Sequence, residues 1–364
     1  VIINLMENSM DTTKKTNYWL PIGIVVVLVL VVVSLAFLQK SRVNASDIKI
    51  GVITDLTGPA AYWGESTRVG AEIAKKELEA EGYKVSLTFE DYQLDAAKAL
   101  TAAQKLVNVD NVDAIYAEFN PAAISVGSFL KDKNTLLIYD AAPTSPLKEN
   151  NNAYKTYLDY QVGCKEIAQR LKNQGVVTIG VLKGNWEPGE LCLAGVKEVF
   201  SDKTISEAYN LGDTDFRTQV LKLKNAGVGA IINTAFEGDT LNSLKAMQEL
   251  QFKVSYGTVD DTITDNVKSK YPNELKGTWT FGFRDVENSF VQKIEKESSK
   301  KLATNYAAAL AYTHIKQLVK YLDECKKDIV CTKNKLDGAK SDNTIGFNKF
   351  VNRIADLEMS IKQY

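Results

Sequence analysis

The chain has 364 residues, 45% of them hydrophobic and 24% charged, with 44 basic against 45 acidic side chains. That balance has room for two domain-sized cores and excludes a disordered or fibrous chain. Setting aside residues 1–46, with four basic and two acidic groups, leaves 40 against 43 and a net charge of −3, which offers no basic face to nucleic acid.

From Tyr18 to Leu38, 21 residues pass without a charge, most of them Val, Leu and Ile. As a helix this run reaches about 32 Å, against a hydrocarbon core of roughly 30 Å. Tyr18 and Trp19 suit an interface, while Lys14, Lys15, Lys40 and Arg42 flank both ends and set no orientation. A signal-peptide core is shorter, roughly 7–15 residues, although Val43-Asn44-Ala45 resembles a cleavage site. The reading is a cytoplasmic tail over 1–17, a transmembrane anchor or signal segment over 18–38 and a linker over 39–46. An uncleaved single-pass anchor is favoured, and cleavage to a secreted or periplasmic form is the alternative. No Cys follows the run, which argues against lipid modification, and Met10-Asp-Thr-Thr-Lys-Lys15 reads as a natural start. Residues 47–364 are expected outside the cytoplasm.

Four cysteines fit that compartment. Cys325 and Cys331 lie six apart in a Lys-rich stretch, and Cys164 and Cys192 fall on expected helix starts. Three pairings are open from sequence, of which 325–331 with 164–192 is favoured. No C-x-x-C occurs and His314 is the one histidine, so neither a metal nor a cofactor is expected.

Beyond Asp47, short β-branched runs alternate with amphipathic stretches. Strands are expected at 48–53, 85–89, 114–116 and 136–139, with helices at 65–81, 95–107 and 121–131 between them. Val69, Ile73 and Leu78 share one face of the first helix. The rhythm resumes with helix 164–174, strand 176–182, helix 190–200, strand 204–209 and helix 215–226. Strand 230–234, helix 239–250 and strand 254–257 follow. Parallel neighbours need crossovers, so two such runs mean two lobes of parallel sheet covered by helices. Ligands of open α/β sheets sit beyond the strands' carboxyl ends. The loops to read are therefore 55–65, 118–123 and 140–146 in one lobe, and 183–189, 235–239 and 258–264 in the other.

The stretch Ile48-Lys-Ile-Gly-Val-Ile-Thr-Asp-Leu-Thr-Gly-Pro-Ala-Ala-Tyr-Trp-Gly-Glu-Ser66, continuing to Gly70-Ala-Glu-Ile-Ala74, resembles the opening of solute-binding proteins of branched-chain amino-acid ABC transporters. Glu90-Asp-Tyr-Gln-Leu-Asp-Ala-Ala-Lys-Ala99, Thr144-Ser-Pro146 and 212–224 keep the family's order and spacing, as do Gly346-Phe-Asn-Lys-Phe350 and 356–364. The resemblance implies a two-lobed type I periplasmic-binding fold with three hinge crossings near Tyr160, Gly282 and Ser341. The first lobe is then about 47–160 with 283–341, the second about 161–282 with 342–364.

Carried over by position, the resemblance implies a ligand-stacking ring at Trp63 and a carboxylate-binding site at Pro121, with Asn120 beside it. Pro121 has neither hydroxyl nor N–H, so that contact passes to Asn120 or to the amides of Ala122 and Ala123. Ala142 and Thr144 fall where the third loop grips an amino-acid zwitterion. Phe236 replaces a family tyrosine, and the acid for the ligand ammonium falls at Asp260 or the adjacent Asp261. Trp186 and Glu187 occupy the mouth. Each residue also has a plain structural reading: Trp63 as packing, Thr144 as a turn residue, Asp260 and Asp261 as helix caps, Phe236 as core. Glu118 reads as a solvated strand end, and His314, Tyr306 and Tyr312 as packing.

The resemblance implies capture of a small amino-acid-like ligand or carboxylate and its delivery to an ABC permease, with no covalent chemistry. The ligand-binding subunit of a membrane sensor is the alternative. An enzyme is disfavoured, since G-x-S-x-G, P-loop and G-x-G-x-x-G patterns do not occur.

Overall fold

The computed structural model describes residues 47–364 apart from positions 211, 235, 299, 300 and 303. The apolar run Tyr18–Leu38 lies outside the described residues, and among those described no helix is long and apolar enough to cross a membrane.

The first lobe opens with parallel strands β1 (Asp47–Thr54), β2 (Lys84–Asp91), β3 (Ala114–Glu118), β4 (Leu136–Asp140) and β5 (Ala153–Lys155). β3 and β4 are buried along their whole length, as strands covered on both faces must be. Helices Ala61–Ala80 and Asn305–Glu324 cover one face, Ala96–Asn108 and Phe119–Phe129 the other. A Cβ on Gly70 would lie 1.9 Å from the Ala308 carbonyl oxygen, so glycine lets the two covering helices touch.

The second lobe aligns β6 (Ile179–Gly184), β7 (Thr204–Tyr209), β8 (Ala230–Asn233), β9 (Ser255–Val259) and β10 (Trp279–Phe283), again parallel. Several boundaries moved by two to four residues, helices beginning at Phe119, Tyr160 and Glu187 rather than 121, 164 and 190, and two of the shifts have local reasons. The first helix starts at Ala61 rather than 65 because the Asp55 carboxylate takes the Gly58 and Ala60 amides, at 2.5 and 2.7 Å, and closes the loop early. β6 starts at Ile179 rather than 176 because the Val176 amide still serves the preceding helix, donating to the Leu171 carbonyl at 3.1 Å.

The carboxyl-terminal stretch corrects the expected lobe boundary. Hairpin β11 (Phe347–Val351) and β12 (Ile354–Leu357) joins the first sheet beside β5, where the Lys155 amide donates to the Arg353 carbonyl at 2.9 Å. Phe350 packs on Tyr154, which fixes the hairpin to that lobe. β13 (Met359–Gln363) alone pairs with β10 in the second lobe, antiparallel. The third crossing is therefore at Glu358, not near Ser341. The first crossing runs from β5 into helix Tyr160–Asn173, and the second follows Phe283 into helix Asn288–Glu297. Arg284 ties the last two together, donating to Glu358 at 2.5 Å and to the Asn343 carbonyl at 3.1 Å. Gly346, at φ +68°, leaves room for it, since a Cβ there would meet Arg284 Cδ at 2.4 Å.

Both favoured disulfides are formed. Cys164–Cys192 links helix Tyr160–Asn173 to Glu187–Phe200, and Cys325–Cys331 joins the end of Asn305–Glu324 to Ile329–Asp337. His314 is buried packing, with Nδ1 2.9 Å from Gln317 Oε1 and its ring edge-on to Phe347.

Candidate ligand-binding cleft

Strand order in the first sheet is β11-β12-β5-β4-β3-β1-β2, and in the second β13-β10-β9-β8-β6-β7. Connections leave in opposite directions on either side of β1/β3 and of β6/β8. Those switch points leave a crevice between diverging loops. At the first point Glu118 ends β3 and Trp63 lies in the first turn of the helix that follows β1; at the second, Trp186 and Phe236 immediately precede the helices after β6 and β8, and Glu187 begins the first of these.

Glu118 is not the solvated strand end its sequence suggests, because it is fully buried. Its carboxyl accepts hydrogen bonds from the Thr54 and Thr67 hydroxyls and, at 3.1 Å, from Trp63 Nε1. Burial outweighs those three donors and raises its pKa to about 7. Its register partner on β4 is Asp140, 3% exposed, with no hydrogen-bond partner at Oδ1. Burial, and then the Glu118 charge, push Asp140 well above the usual carboxylate range. The phenol oxygens of Tyr116 and Tyr306 are also buried without partners, and burial followed by the Asp140 charge raises both. Lys155 is buried close by, donating to the Leu158 carbonyl at 3.0 Å and the Tyr157 carbonyl at 3.5 Å, and burial lowers it to about 8.

Trp63 lies 5.8 Å from the ring of Phe119, which begins its helix at φ +62°, an outlying conformation for a bulky residue. Asn120 and Pro121 follow in the same first turn, half-buried, ahead of buried Ala122 and Ala123. Ala142 is buried, and Thr144 precedes the short helix Ser145–Glu149.

On the second lobe, Trp186 is 5.4 Å from Phe236 and 6.2 Å from Tyr160, with its indole N–H buried and unpartnered. Phe236 is 57% exposed, so it is a surface ring rather than core. Asp260 and Asp261 differ in their contacts. Asp260 accepts from Tyr364 at 2.7 Å, Thr280 at 3.1 Å and Lys362 at 3.1 Å, all in its own lobe. Asp261 keeps solvent access; the protein mass around it, then the Asp260 charge, push it up to about 6. Its charge in turn reaches the phenols of Tyr62, Tyr157 and Tyr160, each raised first by burial.

The lobes also meet directly. The Glu187 carboxylate accepts from the Thr144 amide at 2.7 Å, the Thr144 hydroxyl at 2.5 Å and the Ser145 amide at 3.4 Å. Burial opposes its charge, but those bonds prevail and hold Glu187 below the usual carboxylate range. Behind the contact, rings run from the first lobe through the hinge to the second: Tyr306–Phe283 at 3.6 Å, Phe283–Tyr157 at 5.1 Å, Tyr157–Tyr160 at 6.4 Å, then Tyr160 to Trp186.

Sequence reading missed Tyr62, Phe119, Asp140 and Tyr157. Asp140 left a signal, being an acid that ends the apolar run Leu136–Tyr139. Among the described residues no group of His, Cys, Asp and Glu could hold a metal ion.

Two parallel-sheet lobes, three crossings and facing switch points define a two-lobed type I periplasmic-binding fold. A family model described as periplasmic binding protein matches residues 47–356, and the chain belongs to that family of transport-associated solute-binding proteins, which are not enzymes. It is 24% identical over 268 residues to a Leu/Ile/Val-binding protein homolog 2 of Brucella abortus, covering 68% of this chain and 70% of that one. A solute-binding protein of an R. palustris ABC transporter in complex with 4-hydroxybenzoate superposes with a TM-score of 0.75 at 18% identity, over 87% of this chain and 93% of that one. The branched-chain amino acid transporter substrate-binding protein of Streptococcus pneumoniae, in complex with isoleucine, gives 0.71 at 16% identity over 88% and 96%. At those identities the superpositions establish the fold alone.

Proposed function

We propose that this protein captures a small amino-acid-like ligand between its lobes and delivers it to an ABC permease. The observation that carries this reading is the pairing of two switch-point crevices, each with an aromatic surface: Trp63 and Phe119 on one side, Trp186 and Phe236 on the other. Contacts from both lobes favour the closed form by differential affinity, and the three crossings supply the hinge. Micromolar binding needs about 8 kcal/mol, within reach of a well-enclosed ligand of roughly nine heavy atoms at about 1 kcal/mol each. Trp63, Asn120, Pro121, Ala142, Thr144, Trp186, Phe236 and Asp261 line the proposed site, with Asp260 placing the turn that presents Asp261.

The test is a thermal-shift screen against amino acids, amines and small carboxylates, because a ligand bound only by the native state raises its melting temperature. A reproducible rise with one chemical class supports capture; no rise with any class overturns it. The finer location follows from the run at 18–38, which we take as an uncleaved tether for an extracytoplasmic domain. Alkaline extraction of membranes should leave the protein in the pellet, and release to the supernatant would favour cleavage instead.

A further inference from the structure

We infer that Glu118 is a positioning residue: its carboxyl holds the Trp63 ring at the cleft, and ligand affinity follows its charge. This rests on the capture reading above and deepens it, by linking capture to a proton held behind the ligand-facing ring.

One dipeptide meets the indole twice. Glu118 ends β3 and accepts the Trp63 N–H at 3.1 Å, and Phe119 begins the next helix with its ring 5.8 Å from the indole. Phe119 stands at φ +62°, a conformation that persists in a bulky residue only where its surroundings impose it. Here they do. The Glu118 carbonyl accepts from the buried Tyr92 hydroxyl at 2.8 Å, and its carboxyl accepts from the hydroxyls of Thr54 and Thr67. Trp63 and Thr67 lie one turn apart on helix Ala61–Ala80, so one carboxyl fixes the opening of that helix. Glu118 is fully buried while Trp63 is half-buried, so the acid acts through the ring.

Charge enters through the indole, whose N–H only donates. A bond to a carboxylate is roughly twice as strong as one to a neutral acceptor. The protonated acid also brings a hydroxyl that needs an acceptor; Thr54 and Thr67 can turn to supply one, and Trp63 cannot. Ionisation therefore tightens the hold on the ring and protonation loosens it. A ring already fixed costs an incoming ligand less ordering, so affinity rises with ionisation and, by reciprocity, the ligand favours the ionised acid.

The groups facing Glu118 are Asp55 after β1, Asp140 on β4, Tyr116 on its own strand and Tyr92 after β2. Lys155 and Tyr306 act on Asp140, and Arg68 turns away to the ring of Phe89. None of the facing groups is a cation, so the three side-chain donors are what favour the charged form against burial. The balance falls at about 7, where both forms are populated.

The experiment uses the full chain in detergent. Tryptophan emission without ligand is followed from pH 5.5 to 8 in wild type and Trp63→Phe, and the difference isolates the Trp63 signal. A transition near pH 7 is expected, absent from Glu118→Gln, which keeps an acceptor for the indole but does not ionise. Should that variant fail to fold, Thr67→Val, which removes one donor, should move the transition to higher pH. Isothermal titration then uses leucine, phenylalanine, benzoate and isopentylamine, whose own charges hold across this range. Any probe that binds wild type should bind about threefold or more tighter at pH 8 than at pH 5.5, and equally at both in Glu118→Gln. No emission transition, one that persists in Glu118→Gln, or one that Thr67→Val leaves unmoved overturns the inference. So does a transition kept in Glu118→Gln and lost in Asp140→Asn, which would assign the proton to the other acid. An emission transition with pH-independent affinity overturns the link to affinity and leaves capture standing. Binding of no probe overturns capture and the affinity link together, while emission still decides whether Glu118 holds the ring.

Discussion

The two walls of the proposed cleft are built in different ways. The first-lobe wall is sealed: Glu118, Asp140, Tyr116 and Tyr306 are buried, and three of these carry oxygens with no partner. The second-lobe wall is open, with Phe236 57% exposed and Asp261 in contact with solvent. A sealed wall holds its polar groups desolvated before any ligand arrives, so its interactions are strong and its errors costly. An open wall acquires that character only when the lobes close over a ligand.

The contrast extends to the covalent supports, where the largest effect is expected. Cys164–Cys192 spans 28 residues in the second lobe, Cys325–Cys331 only six in the first. Loop-closure entropy assigns about 3–4 kcal/mol to the longer loop and about 2 kcal/mol to the shorter. Denaturant melts of the paired Cys→Ser variants should show the larger loss for 164/192. Equal losses, or the reverse order, would mean that the open lobe does not depend on its cross-link.

The next effect tests the sealed wall by pH. Glu118 titrates at about 7 in the fold against 4.5 when unfolded, so its contribution is complete below pH 4.5 and lost as pH rises through 7. That shift corresponds to about 3 kcal/mol. His314 acts oppositely: burial lowers it to about 4 from 6.5, so its contribution is present above 6.5 and lost as pH falls. These terms offset in the wild type between pH 5 and 7. Glu118→Gln removes one of them, so stability of the variant relative to wild type should rise by about 3 kcal/mol from pH 4.5 to 8. A difference that does not change with pH would show that Glu118 stays ionised throughout.

The same contrast explains what could be read from the chain. The alternation of strands and helices was legible because every crossover repeats it, and the disulfides that formed are the favoured one of three pairings the sequence left open. Trp63, Trp186 and Phe236 were singled out because the resemblance places them, by position, at the loops that follow strands. Asp140 and Glu118 were not, since an acid at a strand end reads as solvated unless the covering helix is known to lie over it. The burial of Glu118 depends on Thr67 and Trp63 one helical turn apart on Ala61–Ala80, a tertiary fact. The segment 342–364 was placed whole in the second lobe, although its hairpin Phe347–Val351 with Ile354–Leu357 joins the first, because strand pairing between remote segments leaves no local mark.

Trp63→Ala and Phe236→Ala compare the walls through their rings. Trp63 also donates to Glu118, so its loss removes a stacking surface and a hydrogen bond to a buried acid. It should weaken ligand binding tenfold or more, about 1.4 kcal/mol, and lower stability as well. Phe236, exposed and touching Trp186, should weaken binding by a smaller factor and leave the melting temperature of the ligand-free protein unchanged. Titration with whichever ligand the screen returns, alongside melts without ligand, separates the two. Equal effects on binding and on stability would erase the distinction between a sealed and an open wall.

The smallest effect concerns the contact between the walls. Glu187 reaches from the second lobe to donors of the first, at Thr144 and Ser145. It thereby acts as an internal carboxylate that competes with any ligand carboxylate for the same amides, while holding the lobes together. Glu187→Ala removes both actions. The lobes lose a tie, which lowers affinity for every ligand, yet the vacated donors favour those ligands that bring a carboxylate of their own. The ratio of leucine to leucinamide affinity cancels the first effect and isolates the second. That ratio should shift toward leucine by a few-fold, up to about 1 kcal/mol, the net worth of a charge-assisted hydrogen bond after desolvation. An unmoved ratio would mean that Glu187 is a lobe-to-lobe tie only.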